Sequence, residues 1–462
     1  MTCTPTPAEA QIQVPEGAAA RSTHATGTDS PSTPMAQTPR KGAPASYLVN
    51  LRSSSRADRL AGHKAVRLSG GQVVAAWAEI GVLVVQSKDT RFLGKVRGQR
   101  VVKSAGATRS VPVRTQPRNV APRPAAGIRV PRERTQWNMT MIGADKARAT
   151  PAAPNKVLVA VVDSGIDVAH PELAKAIDSR ASVGCTDGGR PQTSRTAWRA
   201  TTNEHGTHVA GIIAAARNGT GVTGVAPGVR LASIKVVDEH NMIYPEYALC
   251  GVMSAARVGA KVANHSYFVD PFVFWCDDQI GQAAIKESLR RAYRFSTGKG
   301  VVNVAAAGNS GLDLEGKSID SESPTDGRAK IRRVNAGCHD LPTELPDVVT
   351  VSAVDRTRML APFSNSGLGT VDIAAPGDEV LSTVTGGRYA VESGTSMAAP
   401  HVSGVLALMA ARRPGATPAQ LTSLLYKQAR PLPCDADAGC RSKGRVTSDF
   451  GHGLVDAAAA VR

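Results

Sequence analysis

From residue 46 to 113, short apolar runs alternate with amphipathic ones. Tyr47-Leu48-Val49-Asn50-Leu51 predicts a strand, and residues 56–68 predict a helix. Residues 73–86 are almost continuously apolar with Gly81 inside, which predicts two adjacent strands. Residues 89–102 predict a second helix and 110–113 a closing strand. The order β-α-β-β-α-β is that of a small α+β module. From residue 156 the pattern changes. Residues 157–162, 231–237, 262–267, 301–306 and 348–354 are Val- and Ala-rich runs without alternation, as expected of strands buried on both faces. Residues 208–216, 247–258 and 282–295 carry helical spacing between them. The prediction is a doubly wound, mostly parallel α/β sheet, whose function gathers at the C-terminal ends of its strands. One more helical stretch follows Ser396, with Val402, Val405, Leu406 and Met409 on one face and Pro400 expected in its first turn.

The flanking segments lack such patterns. Residues 1–45 are rich in Thr, Pro, Ala and Ser with almost no large apolar residue, which predicts a disordered tail. Residues 114–136 hold Pro117, Pro122, Pro124 and Pro131 among arginines and read as an extended, cleavable linker. This leaves a module at 46–113 and a main domain at 137–462.

The net charge of +17 raises the possibility of a nucleic-acid partner. Its distribution argues against one. Residues 1–150 hold 23 Lys and Arg against 8 Asp and Glu, so the α/β part is near neutral. No apolar run is long enough to span a membrane.

Cys3 lies in the tail, and the other six cysteines suit three disulfides and an oxidising compartment. Cys434 and Cys440 bracket a short acidic loop and form the first expected pair. Cys250–Cys276 and Cys185–Cys338 are expected next. No Cys-x-x-Cys spacing points to a metal. The opening Met1-Thr2-Cys3-Thr4-Pro5 has neither the basic nor the apolar region of a secretory signal.

Four stretches carry candidate chemistry. Ser396, in Gly394-Thr395-Ser396-Met397-Ala398-Ala399-Pro400-His401, opens a helix, where unpaired N–H groups could hold charge developing on a substrate. Asp163 ends a buried strand in Val162-Asp163-Ser164-Gly165-Ile166-Asp167. His205 opens a helix in His205-Gly206-Thr207-His208-Val209-Ala210-Gly211, with His208 packed behind it. Asn309 ends another strand in Ala305-Ala306-Ala307-Gly308-Asn309. Taken singly, each has a plainer reading: Ser396 as a helix cap, Asp163 and Asn309 as turn residues.

Together, and in this order, the four stretches resemble the subtilisin-like serine peptidases, or subtilases, over about residues 137–462. The resemblance implies a serine endopeptidase that uses an acyl-enzyme intermediate and needs no cofactor. It makes Ser396 the nucleophile, His205 its base, and Asp163 the residue that orients His205. Asn309 and the Ser396 N–H become the oxyanion hole. It places substrate along Ser266, Tyr267 and Phe268, with Ala305, Ala306 and Gly308 walling the other side of the specificity pocket. The module at 46–113 resembles the inhibitory propeptide of this family. Secretion, a monomeric state, and protein or peptide substrates are implied with it. A structural calcium, seen in many relatives, would fall near Glu172 and Asn218.

Tyr267 and Phe268 depart from the small residues usual after the serine, and their bulk is expected to narrow the pocket. A peptidase that removes leader segments from a few secreted peptides is therefore a second reading. A catalytically silent binding fold is a third, weakened by the presence of all four candidate catalytic residues.

Overall fold

The computed structural model describes residues 30–35, 42–113, 127–130, 136–148 and 154–462. Most of the expected tail and linker, and Cys3, lie outside these.

The main domain is built on an eight-stranded sheet. Its order is Ile373–Pro376, Val348–Val354, Val302–Ala306, Val262–His265, Leu158–Asp163, Arg230–Lys235, Val183–Asp187 and Arg190–Gln192. All neighbours run parallel except the last pair. The absence of alternation in the sequence has its cause here. Along the strand Leu158–Asp163, Leu158, Ala160 and Val162 face one helical layer while Val159 and Val161 face the other. One layer holds helices Pro245–Arg257 and Ile280–Gly298; the other holds His205–Ala214 and Thr395–Arg412. The helix Thr395–Arg412 is buried all round from Met397 to Ala410, not on one face as its spacing suggested, because it runs through the second core.

The N-terminal module is an antiparallel sheet of order Gly71–Trp77, Val82–Ser87, Ala45–Leu51, Val102–Ala107, with helices Arg56–Leu68 and Phe92–Arg97. The second helix is shorter than expected, and the closing strand is 102–107, not 110–113. Gly106 explains that strand's weak signature. A Cβ there would lie 2.1 Å from the Gly281 carbonyl oxygen, so the strand must stay bare where it meets helix Ile280–Gly298.

Alternation along the module's first strand sorts its side chains. Tyr47, Val49 and Leu51 pack on the module's own helices. Leu48, with Trp77, Val82 and Val84 from neighbouring strands, enters the core around Leu249, Ile285 and Leu289 of the main domain. Both faces of this sheet are therefore covered, one by each domain. Polar contacts fix the register between them. The Asn50 amide donates to the Ala284 carbonyl at 2.8 Å and accepts from the Ser288 hydroxyl at 2.8 Å. Arg291 donates to the carbonyls of Leu51 and Ile80, and Arg257 pairs with Glu79.

Residues 30–35 also have a fixed place, contrary to the reading of 1–45 as one disordered tail. The Ser32 N–H and hydroxyl donate to the Asp278 carboxylate at 2.7 and 2.6 Å, and Thr33 exchanges hydrogen bonds with Arg333.

Three disulfides form, and two differ from expectation. Cys434–Cys440 is as expected, but the others are Cys185–Cys250 and Cys276–Cys338. Cys250 lies on helix Pro245–Arg257, which packs against the strand carrying Cys185. Cys276 and Cys338 are directly opposed on two short antiparallel strands. Nearness in sequence misled because the strand Val262–His265 intervenes between Cys250 and Cys276. Among the described residues, no helix is long and apolar enough to cross a membrane.

Candidate active site

Strand Leu158–Asp163 delivers Asp163, 2% exposed, to the C-terminal edge of the sheet. Its carboxylate accepts from the Ser164 N–H at 2.7 Å and lies 2.9 and 3.1 Å from His205 Nδ1. The helix bearing His205 can approach so closely because its second residue is glycine. A Cβ on Gly206 would lie 2.5 Å from the Gly165 carbonyl oxygen and 3.1 Å from Asp163 Cβ. The Gly206 N–H is met by the Ser164 hydroxyl at 2.9 Å. Lys235, level with Asp163 on the adjacent strand, is buried and donates to the Ser164 carbonyl at 2.8 Å.

Burial opposes charge on His205, but Asp163, aided by Glu392 and Glu204, outweighs it and raises the imidazole to about 9. Its neighbour behaves oppositely. Burial pushes His208 down to about 3, and its Nε2 meets the Ala390 carbonyl at 3.1 Å, which makes it a neutral core residue.

Ser396 is the second residue of helix Thr395–Arg412. Pro400 is the sixth, beyond the first turn where it was expected, so it removes the N–H that would bond the Ser396 carbonyl. The Ser266 hydroxyl supplies the missing donor at 3.0 Å. In return the Ser396 hydroxyl donates to the Ser266 carbonyl at 3.3 Å. The proline thus couples the start of this helix to the segment expected to carry substrate.

Asn309 stands at the same edge. Its amide oxygen accepts from the Thr395 N–H and hydroxyl, both at 2.8 Å, which leaves the Nδ2 donors free to face away from Thr395. The Thr395 hydroxyl also accepts from the Gly308 N–H at 3.0 Å. Buried Asn365 holds the loop from beneath. Its amide donates to the Ala307 carbonyl at 2.9 Å and accepts from the N–H groups of Ser310 and Leu312. Thr395 and Asn365 were not singled out from sequence. A loop Asn and a helix-start Thr have no local signature, and only the fold brings them to Asn309.

Ser266 is buried, as are Ala305 and Ala306, while Gly308 is partly exposed. The Tyr267 hydroxyl lies 3.0 Å from Nδ1 of buried His265, so this side chain turns toward the core, whereas Phe268 is 37% exposed.

The residues considered for calcium, Glu172 and Asn218, meet each other directly. Glu172 is buried, and its carboxylate accepts from Asn218 Nδ2 at 2.9 Å, the Tyr389 hydroxyl at 2.8 Å and the Thr220 hydroxyl at 3.2 Å. A second grouping, Cys276, Asp278 and Cys338, has both sulfurs in a disulfide.

The model of the Subtilase family matches residues 154–453. The chain belongs to the subtilase family. It is 32% identical to subtilisin Savinase of Lederbergia lenta, covering 71% of this chain and 98% of that protein. It is 31% identical to fervidolysin of Fervidobacterium pennivorans and 34% identical to a thermophilic serine proteinase of Bacillus sp. (strain AK1). Of these two longer relatives it spans 40% and 52% of the length. The fold is similar to that of the epidermin leader peptide processing serine protease EpiP of Staphylococcus aureus. The TM-score is 0.69 at 22% identity, with 91% of this chain and 98% of that chain covered. Subtilases need no cofactor for catalysis.

If His205 acts as a base, it must be neutral. The acid limb of kcat/KM is then expected above the ordinary histidine range, near 9, with activity rising as pH rises through it. Glu392→Gln removes one of the charges that raise His205, so the limb should move to lower pH. A limb unmoved in this variant would contradict the electrostatic account.

Proposed function

We propose that this subtilase is an extracellular serine endopeptidase made as a zymogen. The observation that carries the reading is the bonding of His205 to buried Asp163, at the sheet edge that also bears Ser396 and Asn309. In the proposed cycle His205 takes the Ser396 proton as the hydroxyl attacks the scissile carbonyl. Asp163 holds the imidazole and favours its cationic form. The Asn309 Nδ2 and Ser396 N–H receive the oxyanion. His205 then protonates the leaving amine, and water releases the acyl group by the same steps. A serine-directed phosphonate should add to Ser396 and abolish peptide hydrolysis in step with labelling. Unlabelled Ser396 with activity lost would point elsewhere.

The inhibitory role of the module is supported by its packing on helices Pro245–Arg257 and Ile280–Gly298. The separated 46–113 piece should inhibit the processed enzyme, more weakly than when tethered, because the tether supplies a high effective concentration. Asn50→Ala should weaken that inhibition about tenfold, by removing the hydrogen bonds its amide makes to the Ala284 carbonyl and the Ser288 hydroxyl. Undiminished inhibition by the variant would contradict this interface, and no inhibition by the native piece would sink the zymogen reading.

A narrower role in leader removal is a second reading. Exposed Phe268 on the expected substrate segment favours it, and the EpiP neighbour is named for such a task.

A further inference from the structure

Arg109 leaves the module just after its last strand and enters the main domain. Its side chain is 7% exposed. Nε and Nη2 donate to Glu246 Oε1 at 3.1 and 2.8 Å, and Nη2 donates to the Tyr247 hydroxyl at 2.7 Å. The guanidinium carbon lies over Tyr244, 3.7 Å from the ring centre. Glu246 itself is fully buried, and its Oε2 has no hydrogen-bond partner. Among the described residues its one ion pair is with Arg109. The next residue is also held: the Ser110 N–H donates to Asp326 Oδ2 at 2.9 Å and its hydroxyl to Oδ1. Beside them lies a cavity of about 730 Å³, whose main-domain wall includes Asp187, Asp238, Glu239 and Asp326.

We propose that the recess formed by Glu246, Tyr244 and Tyr247 is an arginine-recognition site of the processed enzyme, filled by Arg109 in the precursor and by a substrate arginine afterwards. This rests on the zymogen reading given above. When the module leaves, a carboxylate built for burial loses its counter-charge, and the recess then selects for a cation. The selection is for guanidinium over ammonium. A planar group can stack on Tyr244 while its N–H fork reaches Glu246 and Tyr247; a lysine supplies charge without the plane. The recess opens from the loop after strand Arg230–Lys235, whose last residue pairs with Asp163, so it belongs to the catalytic edge of the sheet. The walls next to the scissile bond, Ala305 to Gly308, carry no charge. The arginine preference should therefore fall at another substrate position.

The test walks a single arginine along an otherwise neutral peptide, using the full chain after its own processing, against citrulline, lysine and alanine at each place. One position away from the scissile bond should favour arginine over citrulline at least tenfold in kcat/KM, mainly through KM, with lysine between. Glu246→Gln should erase that preference while leaving an arginine-free peptide within twofold of wild type. Tyr244→Leu keeps the apolar volume and should cut the advantage of arginine over lysine severalfold, which provides a second reading should Glu246→Gln not fold. No arginine-preferring position, or a preference unchanged in both variants, overturns the proposal. Arg109→Ala in the full-length precursor separates this from the zymogen reading. Faster release of activity is expected. A precursor fully active before any cut would sink the zymogen reading and leave the arginine walk to decide the recess.

Discussion

Ser396→Ala is expected to lower kcat by about 10⁶-fold while the protein keeps its fold. The change removes one half-buried hydroxyl whose hydrogen bond to the Ser266 carbonyl is a long 3.3 Å. The structural half of the Ser266 pairing survives, because the Ser266 hydroxyl bonds the Ser396 carbonyl, which the substitution leaves in place. Circular dichroism and melting temperature should therefore match wild type. If the linker is cut by the enzyme itself, the variant should also persist as an uncut precursor. Intact mass beside a peptide-hydrolysis assay checks both, and full activity in the variant would sink the assignment.

Asn309→Ala should lower kcat by about 10²–10³ with KM little changed, a loss of about 3–4 kcal/mol of transition-state stabilisation. The size of the effect depends on preorganisation. Thr395 fixes the amide oxygen through two hydrogen bonds, and Asn365 fixes the loop that carries Asn309. In the proposed cycle the donors would thus be in place before charge develops. Asn309→Asp should be as damaging, since it presents a carboxylate where donors are needed and disturbs the Thr395 contacts. A change confined to KM in Asn309→Ala would mean that the amide binds only ground-state substrate.

What was legible in the sequence is what is local. The strand end bearing Asp163, the loop just past strand Val302–Ala306 that bears Asn309, the helix starts bearing His205 and Ser396, and the parallel order of the main sheet each have signatures within a few residues. What was not legible depends on distant partners. Pro400 looked like an ordinary first-turn proline until Ser266, 134 positions earlier in the chain, supplied its missing donor. Cys250 found Cys185 through packing of a helix on a strand, which no spacing encodes. The strand Val102–Ala107 was hidden because close backbone approach demands Gly106 and small neighbours, which lower the strand signal. Glu172 sits where a metal-ligating carboxylate was expected, yet Tyr389, 217 positions away, donates to it.

The module's sheet needs two covers, and only one travels with it. Once cut free and dissociated, it exposes Leu48, Trp77, Val82 and Val84 to water, and a sheet with one bare apolar face holds its folded state poorly. An unfolding inhibitor is an extended chain, which is the form a peptidase cleft accepts. If the module is the proposed inhibitor, its released form would inhibit at first and then be cut as it unfolds, so the inhibition should fade with time. On the proposed zymogen reading, activation would run in one direction, like a fuse: its delay is set by the first departures of the module, and loss of the departed copies opposes any return to the silent state.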